Sequence, residues 1–432
     1  MRIAYISAGA AGMYCGSCMH DNTLARGLID RGHEVALMPT YTPMRTEDRD
    51  VSMHRVFYGA LSVYLEQKSG LFRHMPRFLD RLMNQPWLLN LVSRLGSSVD
   101  PEDLGDLTLS VLEGEDGRQR RELDELVAWL RDDYRPDVVH LTNSMMLGMA
   151  GPIRRELGVP VICSLQGEDL FLDELREPFR SRVLETLHRK ARDADGFIAT
   201  SEYYADHMSG MLEVPRDRVH VVHLGIRLDD HLEAPSRPTA EPFTIGYLSR
   251  ICPEKGLHHL ADAFRLLAEQ VGPEHVRLRA AGYLGARDRR YLDSIRSRVR
   301  GWGLGDRFEY LGEVDRAGKL AFLQSLDVFS VPSVYRESKG IPALEAMASA
   351  VPVVQPAHGA YPEILEHTGG GVLVEPGRAE ALASALRALR DDPVRRRQLG
   401  LAGREAVRAR FNERVMAEAT LEVFGAARRA VA

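Results

Sequence analysis

Short apolar segments alternate with longer amphipathic segments through both halves of this 432-residue chain. Buried strands of a parallel sheet are continuous apolar runs, and each is joined to the next by a crossover that is usually a helix. The pattern therefore predicts an α/β fold with two Rossmann-like domains that face each other across a deep cleft. The predicted strands are residues 1–8, 34–38, 138–141, 160–165, 196–200 and 219–223, then 244–249, 276–281, 307–311, 328–331, 351–355 and 371–374.

The composition changes between the two halves, where Asp, Pro, Ser and Thr accumulate at 228–242. Such a composition is typical of an interdomain linker. We therefore predict an N-terminal domain over 1–232 and a C-terminal domain over 233–410. We expect the helical tail at 411–432 to pack back on the first domain.

The alternation is interrupted at about 40–115, which we interpret as an insertion in the N-terminal domain. Two amphipathic helices are predicted there, at 75–83 and 87–95, with a basic face. One interpretation is a helical lid that packs on the domain. The other is a peripheral contact, through 71–95, with a membrane surface or an acceptor. The basic residues are Arg73, Arg77, Arg81 and Arg94.

Composition and charge exclude several classes of function. The formal net charge of −5 gives no basic balance that would favour nucleic acid as a partner. No run of eighteen apolar residues predicts a membrane-spanning helix. The first residues are more typical of a buried strand than of a signal peptide, and four cysteines do not make a disulfide framework. We expect a cytoplasmic protein, or one peripheral to the inner face of the membrane.

The stretch 328–345 combines a predicted strand, a polar turn and a helix that begins near Gly340. A helix N-terminus leaves backbone N–H groups that favour an anion such as phosphate. Glu337 and Glu345 flank this turn, and carboxylates accept hydrogen bonds from hydroxyl groups. Phosphate together with hydroxyls suggests a sugar nucleotide as the ligand.

Two other loops follow predicted strands. In the first, Arg250 can contact phosphate oxygens through its planar guanidinium and Lys255 can supply a point charge, although a surface turn with two solvated cations is the alternative. In the second, Gly9, Gly12 and Gly16 do not form the G-x-G-x-x-G pattern of nicotinamide-binding proteins. A glycine-containing loop before a helix still suits an anion.

Together, these segments resemble the retaining, nucleotide-sugar-dependent glycosyltransferases of family four, which have the GT-B fold. In the second half the resemblance lies in R-x4-KG at 250–256, LEAMA at 344–348 and PVV at 352–354. In the first half it lies in LARGLIDRGHEV, PDVVH, PVICSLQGED and HVVHLGI, so the resemblance covers nearly the whole chain outside the insertion.

The resemblance implies a role for individual residues. Arg250 and Lys255 match the pair that holds the donor diphosphate, Glu337 matches the carboxylate that contacts the donor sugar, and Glu345 matches the one that holds the ribose. Catalysis would rest on Glu337, Lys255 and Arg250, without a metal or other cofactor. The acceptor would be a sugar, a polyol or a lipid-linked hydroxyl. The remaining implied donor contacts are Gly16, Lys339, Gly340 and Ile341.

The sequence departs from the family pattern at four positions. Cys15 replaces the first glycine of an N-terminal pair, Gln166 replaces a histidine near the donor sugar, and Ser338 and Lys339 follow Glu337 where a glycine and an aromatic residue are usual. Gln166 can bond a sugar hydroxyl but cannot act as a base. We expect contacts with the acceptor or sugar from Gln166, Asp169 and Cys18.

Three alternatives remain open from the sequence. The chain could be a sugar-nucleotide epimerase or hydrolase of the same fold, or a sugar-nucleotide sensor with weak activity. The pair Cys15 and Cys18, in C-x-x-C spacing at a helix start, could also have a redox or zinc role instead of packing.

Overall fold

The computed structural model describes residues 1–9, 16–40, 44, 49–53, 101–231 and 241–431. These residues form two compact units, Met1–His223 with Glu413–Ala432 and Leu224–Asn412. The predicted helices at 75–83 and 87–95, their arginines, Cys15 and most of the predicted linker lie outside the described residues.

Twelve strands form two six-stranded sheets within the described part of the chain. The first sheet contains β1 (Arg2–Ser7), β2 (Glu34–Pro39), β3 (Val138–Leu141), β4 (Val161–Leu165), β5 (Gly196–Ala199) and β6 (Val219–Val221). The second contains β7 (Phe243–Leu248), β8 (Val276–Ala281), β9 (Phe308–Tyr310), β10 (Val328–Phe329), β11 (Val353–Pro356) and β12 (Gly371–Val374). The pairing is parallel throughout both sheets, as the apolar runs predict.

Helices connect and cover these strands. They are α1 (Gly16–Ile29), α2 (Pro101–Glu113), α3 (Arg120–Trp129), α4 (Ala150–Leu157), α5 (Asp169–Glu174), α6 (Phe179–Lys190), α7 (Glu202–Met211), α8 (Leu257–Val271), α9 (Arg289–Gly301), α10 (Arg316–Gln324), α11 (Ile341–Ala348), α12 (Tyr361–Thr368), α13 (Ala379–Asp391), α14 (Pro393–Arg410) and α15 (Glu413–Val431). None of the described helices combines the length and apolar character needed to cross a bilayer.

The first sheet has the strand order β2-β1-β3-β4-β5-β6 and is apolar on both faces. Successive residues of β1 belong to different cores, since Ile3 and Tyr5 pack on one face while Ala4 and Ile6 pack on the other. The face with Ile3 is covered by α1 and by α15, whose Phe424 is fully buried. The C-terminal helix therefore completes the core of the first unit.

The second sheet has the order β12-β11-β10-β7-β8-β9. The chain moves outward from β7 through β8 to β9, then returns to β10 on the other side of β7. The order of the strands therefore reverses between β7 and β10. Ligands of doubly wound folds bind outside the carboxyl ends of the strands at such a switch point.

Several boundaries differ by one or two residues from the sequence prediction, and two differences have a visible local cause. β10 ends at Phe329 and not at residue 331, because Val331 donates its N–H to the Gln355 side chain instead of to a strand. The pattern of residues 146–157 predicts one helix. The segment begins instead as a 3-10 helix at Ser144, with its first turn capped by the Asn143 side chain, and becomes α4 only at Ala150.

Candidate active site

The two loops at the switch point of the second unit carry the predicted donor-binding residues. One loop follows β7 and contains Arg250 and Lys255, and the other follows β10 and contains Glu337. Because β7 and β10 are adjacent and parallel, both loops leave the same edge of the sheet. The structure brings Lys255 and Glu337 into direct contact, although 82 residues separate them in sequence.

Glycine at position 256 allows the two loops to approach each other. Gly256 has φ +74°, and a Cβ atom there would lie 1.9 Å from the carbonyl oxygen of Pro332. Val334 donates its N–H to the carbonyl of Glu254 at 2.8 Å, which ties the loops together. The glycine of the R-x4-KG pattern is therefore required by the close packing of two backbones.

Lys255, Tyr335 and Glu337 form a compact polar cluster. The Lys255 ammonium donates to Glu337 Oε2 at 2.7 Å and also contacts the Tyr335 hydroxyl. The same ammonium lies 4.7 Å from the centroid of the Tyr335 ring. Tyr335 donates its own hydroxyl hydrogen to Glu337 Oε2 at 2.9 Å. One carboxylate oxygen of Glu337 thus receives two donors, and the lysine is held over an aromatic face.

The cluster keeps Glu337 ionised and Tyr335 neutral. Burial acts to raise the pKa of Glu337, but the charge and hydrogen bond of Lys255, with smaller contributions from Tyr335 and the Lys339 N–H, lower this pKa to about 2. Burial and the neighbouring Glu337 charge raise the pKa of Tyr335 far above its usual value. The site therefore offers a fixed anion and a fixed cation side by side.

Acid is expected to remove the stabilisation that ionised Glu337 provides. Its pKa falls from 4.5 to about 2 on folding, so the contribution is complete above pH 4.5 and is lost as pH falls towards 2. At about 1.4 kcal/mol per pKa unit the total is roughly 3 kcal/mol. We expect urea unfolding to show that the stability advantage of wild type over Glu337→Gln shrinks by about 2 kcal/mol between pH 6 and pH 3. A constant difference across this range would contradict the assignment.

Glu345, the second predicted carboxylate, is paired with a buried lysine. Lys319 in α10 is 3% exposed and donates to Glu345 Oε1 at 2.5 Å. His231 is close to this pair and its Nδ1 contacts the Ser349 hydroxyl at 3.0 Å. Burial lowers the pKa of His231 to about 4, so the imidazole is neutral near pH 7. Glu345 is thus held as an ion pair one turn inside α11.

The start of α11 lies between the two carboxylates. Gly340 is its N-cap residue with φ +67°, and Ile341 begins the helix. The Lys339 N–H contacts Glu337 Oε1 at 3.4 Å, so the backbone of the turn also lies against the carboxylate. Arg250 is exposed, and its Nε lies 3.4 Å from Cys252 Sγ. The predicted donor-binding residues of the second half therefore lie on two loops and one helix start at a single sheet edge.

A second polar cluster lies at the switch point of the first unit, where β1 and β3 are neighbours. Its centre is Asp21 on α1, which is fully buried. Gln166 Nε2 donates to Asp21 Oδ1 at 2.7 Å and contacts the Thr142 carbonyl at 3.0 Å. The other donors to the Asp21 carboxylate are Tyr5 Oη at 2.6 Å, Ser7 Oγ at 2.8 Å, Thr142 Oγ1 at 2.6 Å and His20 Nδ1 at 3.3 Å.

The loop after Gln166 is held by its own acidic residues. Glu168 accepts from the N–H groups of Gln166, at 2.6 Å, and Ser144, at 3.0 Å. Asp169 accepts from the Tyr204 hydroxyl at 2.8 Å. Tyr204 in turn accepts from the Gly167 N–H at 2.8 Å. Glu168 therefore stabilises the backbone, and Asp169 lies at the start of α5 with its position fixed by Tyr204.

The other residues predicted in the first half are at the start of α1. Gly16 is its first residue and is exposed. Cys18 is 2% exposed and packs in the apolar core with Ile3 and Tyr5. This position favours packing for the Cys18 side chain over contact with a ligand.

Sequence reasoning missed three side chains that the structure places in these clusters. Tyr335 lies two residues before Glu337 and could have been noticed as the aromatic residue of the same turn. Asp21 is a charged residue on the same helix face as the buried Leu24 and Leu28, which is a signal of a buried polar contact. Lys319 lies 26 residues from Glu345, and the sequence has no signal that pairs them.

Comparison with known proteins identifies two matching families. Residues 22–225 match the model described as glycosyl transferase 4-like domain, and residues 230–406 match the model described as glycosyl transferases group 1. Together the two models cover most of the chain.

Relatives of known name show a partial and a full-length match. Over 132 residues the chain is 39% identical to a phosphatidyl-myo-inositol mannosyltransferase of Mycobacterium leprae, a match that spans 31% of this chain and 35% of that protein. It is 25% identical over 435 residues to an MMP alpha-(1->4)-mannosyltransferase of Mycolicibacterium hassiacum, which covers 98% of both chains.

Solved structures agree on the fold. The sucrose-phosphate synthase of Thermosynechococcus elongatus matches with a TM-score of 0.72 at 19% identity over the full length of both chains. HepE of Anabaena, solved in complex with UDP, matches with a TM-score of 0.69 at 18% identity, over 99% of this chain and 100% of that chain. These similarities and the two parallel sheets confirm the predicted GT-B fold class, and the family models establish that the chain belongs to the group 1 glycosyltransferases, with a family-four-like domain in its first half.

Proposed function

We propose that the protein is a retaining glycosyltransferase that moves a sugar from a nucleoside-diphosphate sugar to an acceptor hydroxyl and keeps the α configuration. The observation that carries this proposal is the Lys255–Tyr335–Glu337 cluster at the switch point of the second unit. It combines a cation for phosphate with an ionised acceptor for hydroxyls, which is what a sugar diphosphate requires.

The described contacts suggest how the donor would be held. Arg250 and Lys255 would bind the diphosphate, Glu337 would accept hydrogen bonds from the hydroxyls of the sugar, and Glu345 would accept them from the ribose. The UDP in the HepE structure, and the UDP-glucose in another structure of that protein, support a nucleotide-sugar donor. Gly16, Lys339, Gly340 and Ile341 would complete the donor contacts.

The chemistry follows from where charge develops. The bond between the anomeric carbon and the diphosphate oxygen breaks, and the leaving oxygen gains negative charge that Lys255 and Arg250 stabilise. The acceptor oxygen bonds to the same face of the anomeric carbon. Its proton passes to a phosphate oxygen of the leaving group, because the neutral amide of Gln166 cannot act as a base.

Metal independence is part of the proposal. The cations Arg250 and Lys255 supply the charge that a divalent ion supplies elsewhere. The sequence contains Asp-x-Asp at 48–50 and at 193–195. In the second of these, Asp195 already has protein partners, because it accepts from the Val161 N–H at 2.9 Å and pairs with Arg154 at 3.0 Å. The acceptor class, the cytoplasmic location and the membrane contact through 71–95 stay predictions.

A thermal-shift screen with UDP, GDP, ADP and their common sugar conjugates tests donor binding. A ligand at one hundred times its dissociation constant stabilises the folded chain by about 2.7 kcal/mol, so one nucleotide family is expected to raise Tm clearly. Lys255→Ala should remove most of that shift.

Product analysis then separates the remaining possibilities. Transfer to an added acceptor, with retention at the anomeric carbon, supports the proposal. Donor turnover without an acceptor would indicate an epimerase or hydrolase, and tight binding without turnover would indicate a sensor. The absence of a shift with every nucleotide, in folded protein, would overturn the proposal.

A further inference from the structure

The family resemblance assigns no role to Asp21. Its buried carboxylate nevertheless accepts hydrogen bonds from five side chains in the candidate site of the first unit. It has no exposed surface and accepts from side chains on β1, on α1 and on the loops after β3 and β4. Burial acts to raise the pKa of Asp21, but hydrogen bonds from His20, Thr142 and Tyr5 outweigh burial and lower it. A buried charge of this kind is costly unless it is fully paired, so the donors around it are held in place.

Gln166 is the one amide among these donors. Its Nε2 lies 2.7 Å from Asp21 Oδ1, 3.0 Å from the Thr142 carbonyl and 3.1 Å from Thr142 Oγ1. The two hydrogens on this nitrogen thus meet acceptors on the protein. The flipped amide would place Oε1 against the Asp21 carboxylate and the Thr142 carbonyl, where two oxygens repel each other. The network therefore selects one orientation of the amide.

The backbone of Gln166 is fixed as well. Its N–H donates to Glu168 at 2.6 Å, and the next N–H, of Gly167, donates to the Tyr204 hydroxyl at 2.8 Å. Glu168 and Tyr204 therefore hold the main chain of this loop, while Asp21 holds the amide nitrogen of Gln166. Functional side chains are typically held in one orientation by supporting hydrogen bonds of this kind.

We propose that Asp21 is a positioning residue that fixes the Gln166 amide with both N–H groups turned into the protein, so that Gln166 meets a sugar hydroxyl only as a hydrogen-bond acceptor. The inference rests on the proposed function, because it assigns Gln166 to a contact with the donor sugar or the acceptor. Gln166 then selects for a hydroxyl that can donate at that point of the sugar.

The variant Q166E tests the pairing directly. It sets a second carboxyl against Asp21, and two carboxylates at this distance cannot both ionise, so one titrates with a strongly raised pKa. At low pH the introduced carboxyl is protonated, donates to Asp21 and presents its carbonyl oxygen as glutamine does. At high pH both groups become charged and repel each other.

The expected result is a pH-dependent ratio of rates. We expect Q166E to transfer sugar within about twofold of wild type at pH 5.5 and to fall about tenfold or more behind it by pH 8.5, because the carboxylate pair shifts by several pKa units. The double variant D21N/Q166E should abolish this dependence, since the introduced amide donates to the introduced carboxylate. Thermal unfolding gives a readout independent of turnover, and the Tm of Q166E should fall relative to wild type as pH rises.

The neighbouring titratable groups occur in wild type and in every variant, but a change of charge at position 21 or 166 also acts on His20, whose Nδ1 lies 3.3 Å from Asp21 Oδ1. They are Tyr5 on β1, His20 on α1, His140 on β3, Glu168 after β4 and Tyr204 on α7. Burial lowers the pKa of His140 to about 3, and burial raises those of Tyr5 and Tyr204, so these three stay neutral across the range.

The positioning role would be overturned if wild type is active but neither the rate nor the Tm of Q166E, relative to wild type, changes with pH. The same holds for a loss that D21N/Q166E does not restore. If Q166E fails to fold, Thr142→Val removes one donor to Asp21 and one acceptor of Gln166, and it should lower kcat at unchanged UDP affinity. Thr186→Val, whose hydroxyl bonds only the Arg182 carbonyl in α6, is the control for a lost buried hydroxyl. No transfer by wild type would instead overturn the proposed function.

Discussion

Lys255→Ala is expected to lower kcat/KM for sugar transfer by about 10²–10³-fold, because under the proposed function this lysine stabilises the leaving diphosphate and also holds Glu337, the proposed contact of the donor sugar. In the structure it donates to Glu337 at 2.7 Å while lying against the Tyr335 ring. Its removal leaves Glu337 ionised and buried without a cation. We therefore expect the variant to be less stable as well, by about 2 kcal/mol, since Lys255 itself is 18% exposed.

The double variant Lys255→Met/Glu337→Gln separates the two effects. It removes both charges and keeps the side-chain volumes, so the unfolding free energy should return towards that of wild type while transfer stays lost. Steady-state kinetics and urea unfolding on the same samples measure both quantities. Transfer at wild-type rate by Lys255→Ala would reject the site, and recovery of activity in the double variant would show that the single variant failed only through instability.

Gly256→Ala is expected to destabilise the second unit strongly. The residue has φ +74°, where an L-residue costs about 1–2 kcal/mol. The added Cβ would also lie 1.9 Å from the Pro332 carbonyl oxygen, so one of the two backbones must move, at a further cost of about 1–3 kcal/mol. We expect a total near 3 kcal/mol and a loss of donor binding, because the displaced segment leads to Tyr335 and Glu337.

Gly303→Ala is the matched control for this prediction. Gly303 has φ +73°, but an added Cβ would meet no atom within 4 Å. It therefore carries the backbone cost without the collision, and its unfolding free energy should fall by only about 1–2 kcal/mol with nucleotide affinity unchanged. Equal destabilisation in the two variants would show that the approach of Gly256 to Pro332 is not a constraint on the fold.

The strands were predictable because each is a local pattern. Val138–Leu141, Val276–Ala281 and Gly371–Val374 begin and end at the predicted residues. The short strand Val328–Phe329 was predicted two residues too long, since the apolar run continues after the chain has left the sheet. Residues 144–149 were predicted in part as α-helix, but the cap by Asn143 starts a 3-10 turn that the hydrophobic pattern does not reveal.

The candidate site was predictable to the extent that it depends on strand ends. Arg250, Lys255 and Glu337 follow predicted strands, and parallel strands bring their carboxyl ends to one edge. Sequence order does not say which strands are neighbours, so the contact of Lys255 with Glu337 was not predicted. Tyr335 as a third member, and Lys319 as the partner of Glu345, depend on side-chain positions that no spacing rule specifies.

By itself the sequence determined the class of fold, the number of sheets and the loops that carry charged residues, because alternating apolar runs and glycine-containing turns act over a few residues. The tertiary structure decided which of those charges meet. Strand order places β7 beside β10 and β1 beside β3, and no local pattern specifies this order. The pairing of Glu337 with Lys255 and of Gln166 with Asp21 is therefore a property of the folded chain, since the partners lie 82 and 145 residues apart.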